Sequence, residues 1–191
     1  MKESIIDSLD PRLKSHLCTL KKSSLDKENN IYMCSSLIKV VDYDAFPKIY
    51  SQGKGWSGVP KSNDALYIDE NEEWHFIEFK NGKVEKDDIF RKIYDSIIML
   101  IESGIFPNFD FVREKVNYIL VYNSKKNGRV QDSESRDMVH NYTRRLANEE
   151  QKMFEIYKVE QYLFKETHTY TKELFEEIFV KRMEKEEGLT S

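Results

Sequence analysis

The chain is poor in the features that mark a secreted, membrane-spanning or nucleic-acid-coating protein. Cys18 and Cys34 are its only cysteines in 191 residues. Two thiols make no disulfide framework for a chain of this size, so reduced core thiols are expected. No apolar run approaches the ~20 residues that cross a bilayer. Met1-Lys2-Glu3-Ser4 is not followed by the apolar stretch of a secretion signal. A cytoplasmic protein with no membrane partner is therefore expected. Basic charge is not in excess either: the net charge is −4 and the pI about 5.7. A protein that coats nucleic acid without specificity is usually basic, which disfavours that class. An enzyme that meets a polyanion through one local basic face and a bound cation stays open. Gly53-Lys54-Gly55 lacks the spacing of a phosphate-binding loop. No Ser or Cys sits in a motif that marks a nucleophile. His16, His75, His140 and His168 share no spacing suited to zinc, and the cysteines do not pair with them.

What is present is enough for a core. Hydrophobic residues make up 39 % and aromatics 13 %, while the 34 % charged residues are of mixed sign along the chain, which argues against global disorder. The length fits a single domain over 1–191 with appended elements.

Residues 4–20 carry apolar residues at roughly helical spacing, broken at Asp10-Pro11. In 25–41, Ile31, Cys34, Leu37, Ile38 and Val41 fall on one stripe and predict a second helix. Gly53, Gly55, Gly58 and Pro60 make 51–63 a loop, with Trp56 as a plug over a core edge. Strands are expected at 64–68 and 74–80 around the polar turn 69–73. A helix follows from Asp87-Asp88 to about Ser103-Gly104, its apolar face given by Ile89, Ile93, Ile97, Leu100 and Ile101. Val116 to Tyr122 is apolar enough for a central strand. A basic loop, a polar helix at about 132–149, β-like alternation at 154–164 and an amphipathic helix at 171–183 complete the chain. A strand–helix–strand crossover favours parallel pairing. The fold class is thus α/β, a mixed central sheet with helices on both faces, and a C-terminal helix–strand–helix extension over about 130–186.

The hairpin carries the chemistry. With Asn71 at the centre of a five-residue turn, opposed residues sum to 142, which sets Asp64 across from Glu78. Directly opposed residues share a face with Cβ atoms about 5 Å apart, and Lys80, two residues on, shares that face. Two carboxylates so close repel unless a cation sits between them. Mg²⁺ suits them, because it prefers oxygen ligands and binds through one or two carboxylates plus phosphate. A lysine beside metal-bound water can place or deprotonate the nucleophile. Chance alone supplies Glu-x-Lys about twice in a chain of this composition, and two occur: Glu78-Phe79-Lys80 and Glu150-Gln151-Lys152. The second belongs to a polar helix. The first lies in an apolar strand, where charges are costly without partners or a function. A structural salt-bridge ladder is the competing reading.

Asn63-Asp64, thirteen intervening residues, Glu78-Phe79-Lys80 and a following helix resemble the PD-(D/E)xK phosphodiesterase superfamily. Its restriction-endonuclease-like core runs helix, three strands, helix, strand, and the match covers roughly 25–122. Asn63 stands where the family usually has proline. The resemblance implies a metal-dependent nuclease. Asp64, Glu78 and the Phe79 carbonyl would ligate Mg²⁺, for which Mn²⁺ substitutes, and Lys80 would contact the attacking water. An acidic residue on the first core helix is common in the family; Glu28 is the best match here, with Asp42 and Asp44 as rivals. The expected partner is nucleic acid, DNA before RNA, and a homodimer is allowed. Lys83, Arg91 and Lys92 after the motif, and Lys125, Lys126 and Arg129 after the central strand, are candidate phosphate contacts. Tyr122 and His75 read as packing. The alternative function is a non-catalytic nucleic-acid- or protein-binding member that keeps the fold.

Overall fold

The computed structural model describes residues 1–127 and 152–189. The N-terminal segment folds as two short helices, α1 (Glu3–Ser8) and α2 (Pro11–Lys14), and then a strand, β1 (Leu17–Thr19). Asp10 caps α2 by accepting from the Arg12 N–H at 2.9 Å, and Pro11 needs no donor at its first position. The helical spacing read over 4–20 therefore stops short of its last third, which is strand.

The helix expected over 25–41 is absent. One helical turn, α3 (Leu20–Ser23), leads into a small hairpin of β2 (Leu25–Asp26) and β3 (Ile31–Tyr32), followed by β4 (Lys39–Asp42). Turn chemistry overrides the apolar stripe. The Asp26 carboxylate accepts from the N–H groups of Glu28 and Asn29, and Asn30 takes φ +52°, a region asparagine tolerates. Leu37, a member of the stripe, is 66 % exposed.

A 3₁₀ turn (Tyr43–Ala45) opens into α4 (Phe46–Lys54), so part of the expected loop is helical. Gly55 ends α4 at φ +69°, the left-handed cap that favours glycine. Trp56 is 54 % exposed and meets Tyr50 edge-on, so it flanks the core without sealing it.

The central hairpin forms with the anticipated register. β5 (Ala65–Ile68) pairs antiparallel with β6 (Trp74–Lys80) through Ala65↔Ile77, Leu66↔Phe76, Tyr67↔His75 and Ile68↔Trp74. Helix α5 (Lys86–Glu102) crosses over, α6 (Phe109–Lys115) follows, and β7 (Val116–Tyr122) returns parallel to β6. A single turn, α7 (Ser124–Asn127), ends the first described stretch.

In the stretch from residue 152 on, 154–164 is not a strand. It is a 3₁₀ turn (Ile156–Val159) flanked by Phe154, Glu155 and Gln161 at φ near +60°, which no strand allows. The strand lies further on, as β8 (Glu166–Thr171), parallel to β7. Thr171 caps the last helical segment, which runs through Lys172–Phe175, a π-type stretch at Glu176–Val180 and Lys181–Glu186. The polar helix expected at 132–149 lies outside the described residues.

The result is a six-stranded mixed sheet in the order β1-β4-β5-β6-β7-β8. Alternation along β6 separates its faces. Phe76 meets Tyr43, Phe106 and Phe164 on the face that also carries Glu78 and Lys80. His75 and Phe79 meet Phe179 and Phe175 of the C-terminal segment on the other. Both cysteines are free, and burial pushes the Cys34 thiol up to about 12.

Phe76→Ala should lower the unfolding free energy by roughly 3–5 kcal/mol, because a fully buried aromatic is lost from the core. Leu37→Ala should change it by no more than about 0.5 kcal/mol. Urea unfolding of both variants checks the assignment of core and surface.

Candidate functional site

The site is built where β5 ends before its partner does. Ala65 is the last β5 residue paired to β6, and Asp64 stands just outside the ladder. Its Oδ2 accepts from the Phe79 N–H at 2.7 Å, taking the place of the missing strand. In a strand a residue's N–H and C=O point to the same side. The Phe79 carbonyl therefore faces the same vacated edge. Glu78 projects onto the face covered by α5 and is fully buried.

Between the two carboxylates lies the ammonium of Lys92. Its Nζ is 2.7 and 2.9 Å from the two Glu78 carboxylate oxygens and 3.4 Å from Asp64 Oδ1. Lys80 Nζ stands 3.5 Å from Glu78 and donates to Asp88 at 2.9 Å. Lys61 also pairs with Asp88. Asp88, Lys92 and Ser96 recur every fourth residue on α5 and form one stripe. Ser96 Oγ receives both the backbone N–H and the side-chain amide of Asn63, each at 3.1 Å, which locks the residue before Asp64 onto the helix.

Burial sets the protonation of this cluster. Desolvation, then the Asp64 charge, raises Glu78 to about 8 against the pull of Lys92 and Lys80. Desolvation also raises Asp64, helped by Asp44 and opposed by Lys92. Burial would lower Lys92, but Glu78 and Asp64 more than restore it, so the ammonium stays charged. Lys80 is held protonated in the same way by Glu78 and Asp88. Asp88 drops to about 2, because hydrogen bonds from Lys61 and Lys80 outweigh its burial. Tyr118, paired in register with Phe76, is fully buried, and its hydroxyl has no hydrogen-bond partner among the described residues.

The remaining candidates divide by location. Lys92, a candidate phosphate contact from sequence, is largely buried at the centre of the carboxylate pair. Lys83 is exposed in the loop after β6, 3.6 Å from Glu85, and Arg91 is exposed on α5, 3.7 Å from Asp95. Lys125 and Lys126 are exposed on α7. Loop and turn are stitched together: Asn127 accepts from the Val84 N–H and donates to the Gly82 carbonyl, each at 2.8 Å. Asn123 donates to Asn81 at 2.9 Å. Lys83, Lys125 and Lys126 thus share the end of the sheet where Lys80 lies. Arg129 falls outside the described residues. Glu28 is exposed in the β2–β3 turn, so the helix acid expected there has no helix. Asp42 is half-buried in β4. Asp44, which accepts from Ser62 Oγ at 2.9 Å, is the rival whose charge reaches Asp64.

Sequence reasoning missed Asp88 and Ser96. Their spacing of four from Lys92 within a clear amphipathic helix was the available signal.

The pKa of Glu78 has a consequence for stability. Its folded value lies above the ordinary 4.5, so the folded state holds a proton that the unfolded chain has lost. That contribution is complete below 4.5 and is lost as pH rises through about 8. In EDTA, unfolding free energy should fall across this window, and Glu78→Gln should flatten the decline. Chemical denaturation at a series of pH values reads it directly.

No protein-family model, no curated protein and no solved structure matches the chain.

Proposed function

We propose that the chain is a divalent-metal-dependent nuclease with a restriction-endonuclease-like core, hydrolysing phosphodiester bonds in nucleic acid. The observation that carries this reading is the convergence of Asp64 and Glu78 on one positive charge, the Lys92 ammonium, with Lys80 beside them. The donors on offer are oxygens alone, two carboxylates and the Phe79 carbonyl on the vacated edge. That set fits Mg²⁺ or Mn²⁺ and not a softer ion. When bound, such an ion supplies Lewis-acid polarisation of phosphate and a more acidic water.

The chain's own residues do the rest. Asp64, fixed by the Phe79 N–H, and Glu78 hold the ion. Lys80 is kept protonated by its acidic neighbours, so it donates and does not accept. It orients the attacking water and offsets charge growing on the phosphate; it does not remove the proton. Lys92 has to leave its bridging position when the ion is held. Lys83, Lys125 and Lys126 line the same end of the sheet and offer contacts to backbone phosphates.

A second reading has its own support. Lys92 already neutralises the pair, as a closed structural ion cluster would require. A protein of that kind binds a partner through the fold without catalysis.

Incubation with plasmid, single-stranded DNA and RNA, with Mn²⁺ and with EDTA, should show Mn²⁺-dependent cleavage by the wild type. Lys80→Ala should lose roughly 10²–10⁴ in rate while calorimetry still finds the metal. Asp64→Ala should weaken the metal itself, and Lys92→Ala should tighten it by removing a competing cation. Absence of both metal binding and cleavage in the wild type would replace the nuclease reading with the binding one.

Replacing Lys125 and Lys126 by alanine should also reduce the slope of log K against log salt for nucleic-acid binding, by up to about 2. Filter binding across a salt series measures it, and an unchanged slope would assign both lysines to solvation of their turn.

A further inference from the structure

At the opposite end of the same hairpin, on the opposite face, four side chains converge without any role in the site above. Asp69 follows β5, Glu73 precedes β6, and His75 lies in β6 facing the C-terminal segment. Asp69 and His75 are each 4 % exposed, and the donor atoms of the three acid and imidazole groups all lie within 4.8 Å of one another. Asp69 Oδ2 is 3.3 Å from His75 Nε2. Donors bound at ~2.0–2.2 Å to one tetrahedral ion stand roughly 3.3–3.6 Å apart, so that pair is already at coordination distance.

Each carboxylate is divided between a structural and a central oxygen. Asp69 Oδ1 accepts from the N–H groups of Asn71 and Glu73 at 2.9 and 3.0 Å, which leaves Oδ2 toward the imidazole. Glu73 Oε1 pairs with Lys165, which leaves Oε2 inward. Such oriented ligands are what an outer layer of hydrogen bonds provides at a metal.

Asn117 supplies an independent observation. It is the register partner of His75 on β7 and only 3 % exposed. Its amide is aimed into the group, with Nδ2 3.0 Å from Glu73 Oε2 and 3.5 Å from His75 Nδ1. Its Oδ1 is buried with no hydrogen-bond partner among the described residues. A buried amide oxygen without a donor is costly. As the amide stands, Nδ2 faces the group and Oδ1 does not; a half-turn of the amide exchanges the two atoms and brings Oδ1, the atom able to ligate, within reach of a cation there.

We infer that Asp69, Glu73, His75 and Asn117 form a structural metal site for a divalent transition ion, with zinc the best fit. The imidazole selects against Mg²⁺ and Ca²⁺, which take oxygen alone, and favours Zn²⁺ among ions that accept nitrogen with carboxylate oxygen. The ion ties the β5–β6 turn to the start of β7. Through Lys165 on Glu73 it also reaches the residue before β8. The role is a clasp on the sheet; catalysis stays with the other end.

The test uses the full chain, incubated with Zn²⁺ and freed of excess by gel filtration. About one zinc per chain should remain, with a raised melting temperature that Mg²⁺ does not reproduce. Asp69→Asn keeps an oxygen for the turn N–H groups and should still fold, yet lose more than about 10-fold in zinc affinity. His75→Gln should lose as much, and Glu73→Gln serves as the surface-side variant if His75→Gln does not fold. Asp64→Asn should keep the zinc, which separates this site from the carboxylate pair. Failure of the wild type to retain zinc overturns the inference. So does zinc affinity unchanged in both Asp69→Asn and Glu73→Gln, or zinc lost in Asp64→Asn alone.

Discussion

Two carboxylates sharing one ammonium beneath α5 form the interaction on which this end of the molecule depends. Asp64, Glu78 and Asp88 face Lys61, Lys80 and Lys92, so acids and lysines balance in number. Balance does not cancel the cost of burial: Glu78, fully enclosed, is still raised to about 8. Removing one partner from a buried pair commonly costs about 3–5 kcal/mol, because the remaining charge is stranded. The register of α5 over the sheet is therefore specified by charge as well as by Ile89, Ile93 and Ile97. A shift of one residue would carry Asp88, Lys92 and Ser96 away from Lys80, Glu78 and Asn63 together.

A single strand organises both polar sites. Along β6, residues 76, 78 and 80 face α5, and residues 75, 77 and 79 face the C-terminal segment. Glu78 and His75 are three positions apart, an odd number, so they lie on opposite faces. The pairing to β5 decides which acid each one meets. At the open end of the hairpin, Glu78 finds Asp64; at the turn, His75 finds Asp69. The parallel partner β7 completes both, with Asn117 beside His75 and Tyr118 and Leu120 on the α5 face. A one-residue slip of β6 would turn the two sites inside out at once.

The sequence was legible where period and turn agreed. Trp74 to Lys80 alternates across a five-residue polar turn, and its register followed from counting alone. Val116 to Tyr122 was equally plain, being apolar or aromatic at every position but Asn117. Residues 25–41 read as a helix from sequence because five apolar residues fall at helical spacing, while Asp26, Asn29 and Asn30 encode a tight turn that interrupts it. Residues 154–164 failed for the complementary reason. Their alternation looked extended, but Glu160 bonds the Thr167 backbone and hydroxyl and helps fold the segment back before β8 begins. From sequence, Lys92 reads as a phosphate contact just after the motif, because a long basic side chain is usually exposed. Only the three-dimensional meeting of α5 with the hairpin makes it interior. For the same reason the Asp69, Glu73 and His75 group has no sequence motif, since its fourth member, Asn117, comes from across a crossover.

Electrostatics at the Lys80 end constrains how a polyanion can approach it. Lys61, Lys80, Lys83, Lys86, Arg91 and Lys92 are each paired with an acid. Lys125 and Lys126 carry no ion pair among the described residues. A basic residue already paired contributes little long-range attraction, and the chain as a whole is negative by four charges. On the nuclease reading, phosphate recognition at this end cannot come from bulk charge. It has to come from rearranging the ion pairs themselves. A divalent ion entering between Asp64 and Glu78 would do this in one event, because it adds two positive charges and frees the Lys92 ammonium. Substrate affinity and metal occupancy would then be coupled through one lysine. The carboxylate cluster would be closed without the ion and electropositive with it.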